Sequence, residues 1–375
     1  MRKGDPRMTN NKISQRQLIS IAACHVLGTS VVSVFISAVA GNDAWLVGAM
    51  GGACFIPVML IYSSLAKKYP GKGLFEINEA VFGPVAGRLL SLAYLVFFLT
   101  LCALNILEGS NFLYYSVMPD TPQYALVLFA LLAAVYCVRK GIMAIARVST
   151  IFLIIILASL LFHVLMSFEH ADFSFILPVL SHEPLDYVQA THIAVSIPFG
   201  ESILVLMLIP ESREGVNIRK VYTGVLLITV LLMTVVHFRE IISLGPLASF
   251  TTLPSFEAVR IINIANIFSR IESLFAFLLL SAAFFKIVIL LFVCAKGIAQ
   301  ITRLRGYGHL LIMLCAFLSV YSIKAYGPSS LNIFWGKNVS PFIWSGFTFL
   351  LPLLTWCGSL VRGRLGQSAE RSGGT

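Results

Sequence analysis

A chain of 375 residues that is 58% hydrophobic and only 12% charged, with mean hydropathy +0.89, cannot bury its apolar surface in one water-soluble core. Lipid must be the solvent for much of it, and apolar runs that are continuous rather than alternating exclude a porin-like barrel. The net charge of +10 comes with no basic run interleaved with aromatics, so it reads as membrane topology and excludes nucleic acid as a partner.

Residues 1–14 form a basic N-terminal segment that leads into a long first helix, retained rather than removed as a signal peptide. Apolar runs bounded by charges or turns predict ten spans, at 15–39, 45–66, 89–117, 123–138, 146–168, 187–210, 218–238, 269–299, 308–325 and 340–361. The fourth is short, which leaves nine as the competing count. Span 1 carries Gly28-Thr29-Ser30 near its middle. Span 3 places Asn105, Glu108 and Phe112 on one helical stripe, lining an external approach to a pocket or hydrogen-bonding between helices.

Span 6 contains Ser196-Ile197-Pro198-Phe199-Gly200-Glu201-Ser202, where a proline, a glycine and a carboxylate meet at bilayer depth. Two readings stand for this stretch: a broken helix whose freed backbone groups hold a small polar ligand, or a proline kink satisfied by neighbouring helices. Glu201 lies twelve residues from Arg213, and Lys286 in span 8 lies ten from Lys296, roughly 15 Å along a helix. That is half of a hydrocarbon core of about 30 Å, so the two charges are at matching depth. An ion pair that fixes helix 6 is expected between them; a role for Lys286 in place of a coupling cation is the alternative. Residues 362–375 are polar and read as a disordered cytoplasmic tail.

Of the 27 Lys and Arg, 21 fall on one side of the ten-span topology, which makes that side and both termini cytoplasmic. Ten spans divide into repeats at 15–168 and 169–361, the latter with an external loop. Five spans per half is odd, so the second half is inverted. Spans 3 and 8 are both unusually long, and the connections 67–88 and 239–268 each hold a short amphipathic stretch. In the second, Phe256, Val259, Ile262 and Ile267 read as an interfacial face. The fold expected is all-α, a 5+5 inverted repeat of leucine-transporter type with helices 1 and 6 broken at the midplane.

His25 and His192 each precede one of the two breaks, as proton sensors or as satisfied polar contacts. The seven cysteines show no CxxC or metal spacing, and the histidines no HxxxH, so no metal or other cofactor is expected. Phosphate-binding loops, paired catalytic carboxylates and a nucleophile elbow are missing from the sequence, and an enzyme is not expected.

An ordered set of short motifs then carries a resemblance. It comprises Gly41-Asn42-Asp43-Ala44-Trp45, Lys67-Lys68-Tyr69-Pro70-Gly71-Lys72, Pro119-Asp120-Thr121-Pro122, Gly141 with Ile145-Ala146-Arg147, and Pro198-Phe199-Gly200-Glu201. Leu253-Pro254, Arg260, Ile262-Asn263, Arg270 and Phe285-Lys286 complete it. The chain resembles the GerAB-type spore germination permeases, integral-membrane B subunits of germinant receptors that are themselves similar to amino acid–polyamine–organocation transporters. The resemblance implies a multi-pass protein of the inner membrane of a bacterial spore. It would act with an A subunit and a lipoprotein C subunit and recognise a small-molecule germinant, expected to be an amino acid. The ligand would lie between the breaks and spans 3 and 8, against Gly28, Thr29, Ser30, Asn105, Glu108, Ser196, Pro198, Phe199 and Gly200, with Glu201 and Lys286 in a structural or coupling role. The alternatives are a stand-alone amino acid transporter, proton-coupled or facilitative, and a structural scaffold.

Overall fold

The computed structural model describes residues 12–29, 33–261, 271–324 and 329–372, and its regular elements are helical apart from one β-bridge between Ile13 and Ser212. Helix α1 (Gln15–Leu27) starts at a capping box: the Ser14 hydroxyl accepts the Gln17 amide while the Gln17 side chain accepts that of Ser14. The chain leaves the helix after Leu27 and resumes as α2 (Ser33–Ala40), so the first predicted span is in two pieces. There follow α3 (Ala44–Lys68), α4 (Leu74–Phe82), α5 (Pro84–Ser116), α6 (Gln123–Arg139) and α7 (Ile142–Ser167). The second part holds α8 (Pro184–Glu211), α9 (Ile218–Leu244), α10 (Pro254–Arg260), α11 (Ile271–Ile301), α12 (Leu310–Lys324) and α13 (Ser329–Asn338). The last helix, α14, runs from Ser340 to Ser372 through a π turn at Gly346–Leu350.

Among the described residues, seven helical stretches are long and apolar enough to cross a membrane. α6 and α12 are apolar but only 17 and 15 residues long. The chain is an all-helical, multi-pass membrane protein; the ten crossings expected correspond to seven helices of spanning length, two short ones and a divided first segment. Short helices occupy both long connections, α4 and α10.

α8 is the central helix, with every residue from Ser196 to Ile209 buried. It is not broken, which corrects the sequence expectation. The missing amide of Pro198 is absorbed by a π turn at Val195–Phe199 followed by a tighter 3-10 turn at Gly200–Ile203, and the backbone stays helical throughout. Gly200 is needed for packing. A Cβ there would lie 2.8 Å from the Thr348 side chain, so glycine lets α8 approach the π turn of α14. The carbonyls of that second π turn are caught from other helices: Tyr62 donates to Thr348 O and Tyr94 to Phe347 O at 3.0 Å. Phe97 stacks on Phe347 at 4.7 Å, and Phe199 on Phe55 at 5.7 Å.

Just beyond the C-terminal end of α2, Asp43 is fully buried and accepts hydrogen bonds from the Tyr187 hydroxyl (2.6 Å) and the amides of Leu180 and Ser181. Asn42 adds bonds to the carbonyls of Ile176 and Pro178, so the Gly-Asn-Asp segment holds the loop between α7 and α8. Arg239, assigned to an external loop from sequence, is fully buried because α9 continues six residues beyond the predicted end of span 7. Its Nη2 donates to Ser255 O, and Ser255 in turn donates to Glu240, which fastens α10 to α9. Phe256 and Val259 of α10 are buried rather than interfacial, Phe256 edge-on to Phe112 at 5.3 Å; Ile262 and Ile267 lie outside the described residues. The tail also differs. α14 is helical through Ser372, as a segment containing Arg, Leu, Gln, Ala and Glu permits.

Candidate functional site

The interruption after α1 faces the middle of α8 and α11. Lys286 Nζ lies 2.7 Å from Glu201 Oε2 and donates to Thr29 Oγ1 at 2.7 Å. The Thr29 hydroxyl in turn donates to Glu201 Oε2 at 3.2 Å, and His25 Nε2 stands 3.5 Å from the same oxygen. Three helices therefore meet on one carboxylate. Exposure is 1% for Lys286, 2% for Glu201, 1% for His25 and 7% for Thr29, so the charges are stabilised by each other and not by water.

Each position has a local reason. Gly28 caps α1 and lies tight against α11: a Cβ would fall 2.6 Å from Lys286 Cβ and 2.8 Å from Ala282 O. Only glycine allows the lysine stem past, and ending the helix at Gly28 frees Thr29 to turn its hydroxyl into the cluster. On α8, the π turn shifts the register just before Glu201.

Of the residues marked from sequence, Gly28, Thr29, Glu201 and Lys286 come together here. Ser30 lies outside the described residues. Ser196 is buried with its hydroxyl donating to the carbonyls of His192 and Ile193, so it serves its own helix. Asn105 likewise donates to Leu101 O at 2.7 Å within α5. Glu108 is half-buried and, among the described residues, forms no ion pair with Lys286. Phe199 and Gly200 pack against α3 and α14. Pro198 borders a cavity of about 70 Å³ with Thr29, Thr229, Met233 and His237. His237 was not singled out from sequence, although with Thr229 and Met233 it forms an i, i+4, i+8 row on one face of α9. Its Nδ1 is held by Met233 O at 2.7 Å, and its Nε2 has no hydrogen-bond partner among the described residues. His192 bonds Ser345 at 2.7 Å, linking α8 to α14 and not entering the cluster. Among the described residues no group of three or more His, Cys, Asp or Glu is placed to hold a metal ion.

The motif set and this architecture have counterparts. The spore germination protein family matches residues 12–326, most of the chain. The chain belongs to that family. Spore germination protein KB of Bacillus subtilis is 23% identical over 352 residues, which cover 92% of this chain and 94% of that protein. Spore germination protein B2 of the same organism is 22% identical over 375 residues, covering 96% and 99%. Among solved structures, MHP1, a nucleobase-cation-symport-1 family transporter in a closed conformation, superposes with a TM-score of 0.67 at 13% identity, covering 86% of this chain and 75% of that one. A Na⁺-coupled sialic acid symporter gives 0.58 at 11% identity, covering 94% and 79%. The spore germination protein described here therefore has a transporter-like fold.

Proposed function

We propose that the chain is the germinant-sensing B subunit of a bacterial spore germination receptor, lying in the inner spore membrane with both termini cytoplasmic. Its helices would make ten crossings as a 5+5 inverted repeat. An A subunit and a lipoprotein C subunit would read its conformation. Family membership over 12–326 supports the germination role, and transporter-like solved structures support the fold plan.

The observation that carries the ligand reading is the junction after α1, where a buried charge cluster adjoins a cavity bordered by Thr29, Pro198 and His237. Glu201 and Lys286 neutralise each other there, so neither is left over as a counter-charge for the ligand. A zwitterion such as an amino acid suits a site of this kind. Its ammonium would meet carbonyls of the π turn next to Pro198 and its carboxylate the side of the cavity bordered by Thr29, whose own amide is already bonded to Val26 O at 2.9 Å. The π turn, continuous instead of broken, offers fewer such carbonyls than an open break, and favours a small ligand. Binding would stabilise one arrangement of α1, α8 and α11, and a shift between arrangements is what partner subunits can sense.

The transporter-like fold also favours a second reading, a stand-alone amino acid transporter. Proteoliposomes holding only this chain separate the two. Saturable binding of labelled amino acid without uptake supports the receptor. Saturable uptake without partner subunits supports the transporter, and binding of nothing supports a scaffold.

A further inference from the structure

The end of the molecule that carries residues 12–15 and the α8–α9 loop contains a groove of about 920 Å³ between the C-terminal end of α3 and residues 209–219. Its floor is fixed. Ile13 pairs with the chain at 211–213 through Ile13 N–H to Glu211 O and Arg213 N–H to Ile13 O, both 2.9 Å. Asn217 caps α9 by accepting the Lys220 amide at 3.1 Å, and its own amide donates to the Gln15 side chain at 3.2 Å.

The lining changes character along α3. Leu60, 41% exposed, borders the groove at the level of the apolar helix surface, and Lys67 borders it seven residues later, about 10 Å along the axis. Lys12, Arg213 and Arg219 complete the polar end, opposed by the single carboxylate of Glu214. The N-terminal end of α9 adds the positive pole of a helix dipole. Among the described residues none of the four cations is ion-paired. Four other basic groups are satisfied internally, Lys296 by Glu211, Lys68 by Ser359, Arg88 by Glu79 and Arg362 by the carbonyls of Ala80 and Val81. Arg213 is oriented as well as exposed, its Nε donating to Lys12 O at 3.1 Å.

The geometry points to a binding site for an anionic phospholipid. The phosphate of its headgroup would sit among Lys12, Lys67, Arg213 and Arg219, and an acyl chain would descend past Leu60. Charge complementarity selects this occupant. The N-terminal segment of the chain, with Arg2, Lys3 and Arg7 against Asp5, has the wrong sign for the groove, and a zwitterionic lipid would leave the cationic excess uncompensated. The gradation from Leu60 to Lys67 matches a molecule with an apolar tail and an anionic head.

The test uses the purified full-length chain in detergent, with native mass spectrometry counting bound phosphatidylglycerol against phosphatidylcholine. The wild type is expected to retain phosphatidylglycerol in preference. K67Q/R213Q/R219Q should lose that preference, at roughly fivefold per cation removed. R139Q/K140Q, which removes two cations that do not line the groove, should keep it. The proposal is overturned if the triple variant keeps the preference, or if the control pair loses as much per charge. It also fails if inorganic phosphate displaces the lipid at equal concentration, which would make this a free-anion site, or if deleting residues 1–11 creates binding that the full chain lacks. Should the triple variant not fold, K67Q alone decides. Lys67 is exposed and, among the described residues, its side chain makes no hydrogen bond or ion pair, so an affinity of K67Q within twofold of wild type would refute the site.

Discussion

Replacing Lys286 by Met keeps most of the side-chain volume and removes one charge from the centre of the molecule. The ammonium touches Glu201 Oε2 and Thr29 Oγ1, both at 2.7 Å, with 1% and 2% exposure for the two charged partners. After the substitution the carboxylate keeps only the Thr29 hydroxyl at 3.2 Å and the imidazole of His25 at 3.5 Å. Water cannot replace the lost cation at that depth. Removing one member of a buried pair costs about 3–5 kcal/mol, so Lys286→Met should lower the apparent melting temperature in detergent by at least about 5 °C. Glu201→Gln combined with Lys286→Met removes both charges and should recover much of the loss, with a coupling energy of about 2–3 kcal/mol. Fluorescence-detected thermal unfolding of the two single variants and the double variant reads this directly. A Lys286→Met protein as stable as wild type, or strictly additive single effects, would refute the argument that the pair holds α1, α8 and α11 together.

Three further outcomes follow from the packing. Gly28→Ala forces a methyl to within 2.6 Å of Lys286 Cβ and should cost about 1–3 kcal/mol, measured by the same unfolding assay. Gly200→Ala meets three atoms of Thr348 at 2.8–2.9 Å and should be similarly harmful, with Thr348→Gly restoring stability in the double variant. Asp43→Ala removes the acceptor of the Leu180 and Ser181 amides and of Tyr187, and limited proteolysis between 171 and 183 should become several-fold faster.

The depth of Glu201 and Lys286 was legible because helical rise converts residue spacing into distance from charged ends. Their contact partners were less so. His25 and Thr29 approach Glu201 from a segment 172 to 176 residues away, and only the α1 interruption turns them inward. The state of Pro198 was not legible at all: a proline can break a helix, kink it or be absorbed in a π turn, as it is here, and nothing local in the sequence distinguishes the three. Arg239 was misplaced for a related reason. A charge at the end of an apolar run signals exposure in sequence, yet Ser255 O and the face of Phe275, 5.2 Å away, receive it in the fold. The Asp43 motif could be seen as a motif, but its partners at Leu180, Ser181 and Tyr187 could not.

The most direct test of the receptor reading is germination of spores from a strain lacking this gene, followed by loss of refractility against a panel of amino acids, sugars and nucleosides. Complementation with the wild-type gene and with one encoding Thr29→Val completes it. The account predicts that deletion abolishes the response to one germinant class and leaves the others intact, that the wild-type gene restores it, and that Thr29→Val restores it only at raised germinant concentration. An unchanged response to every germinant in the deletion strain would contradict it.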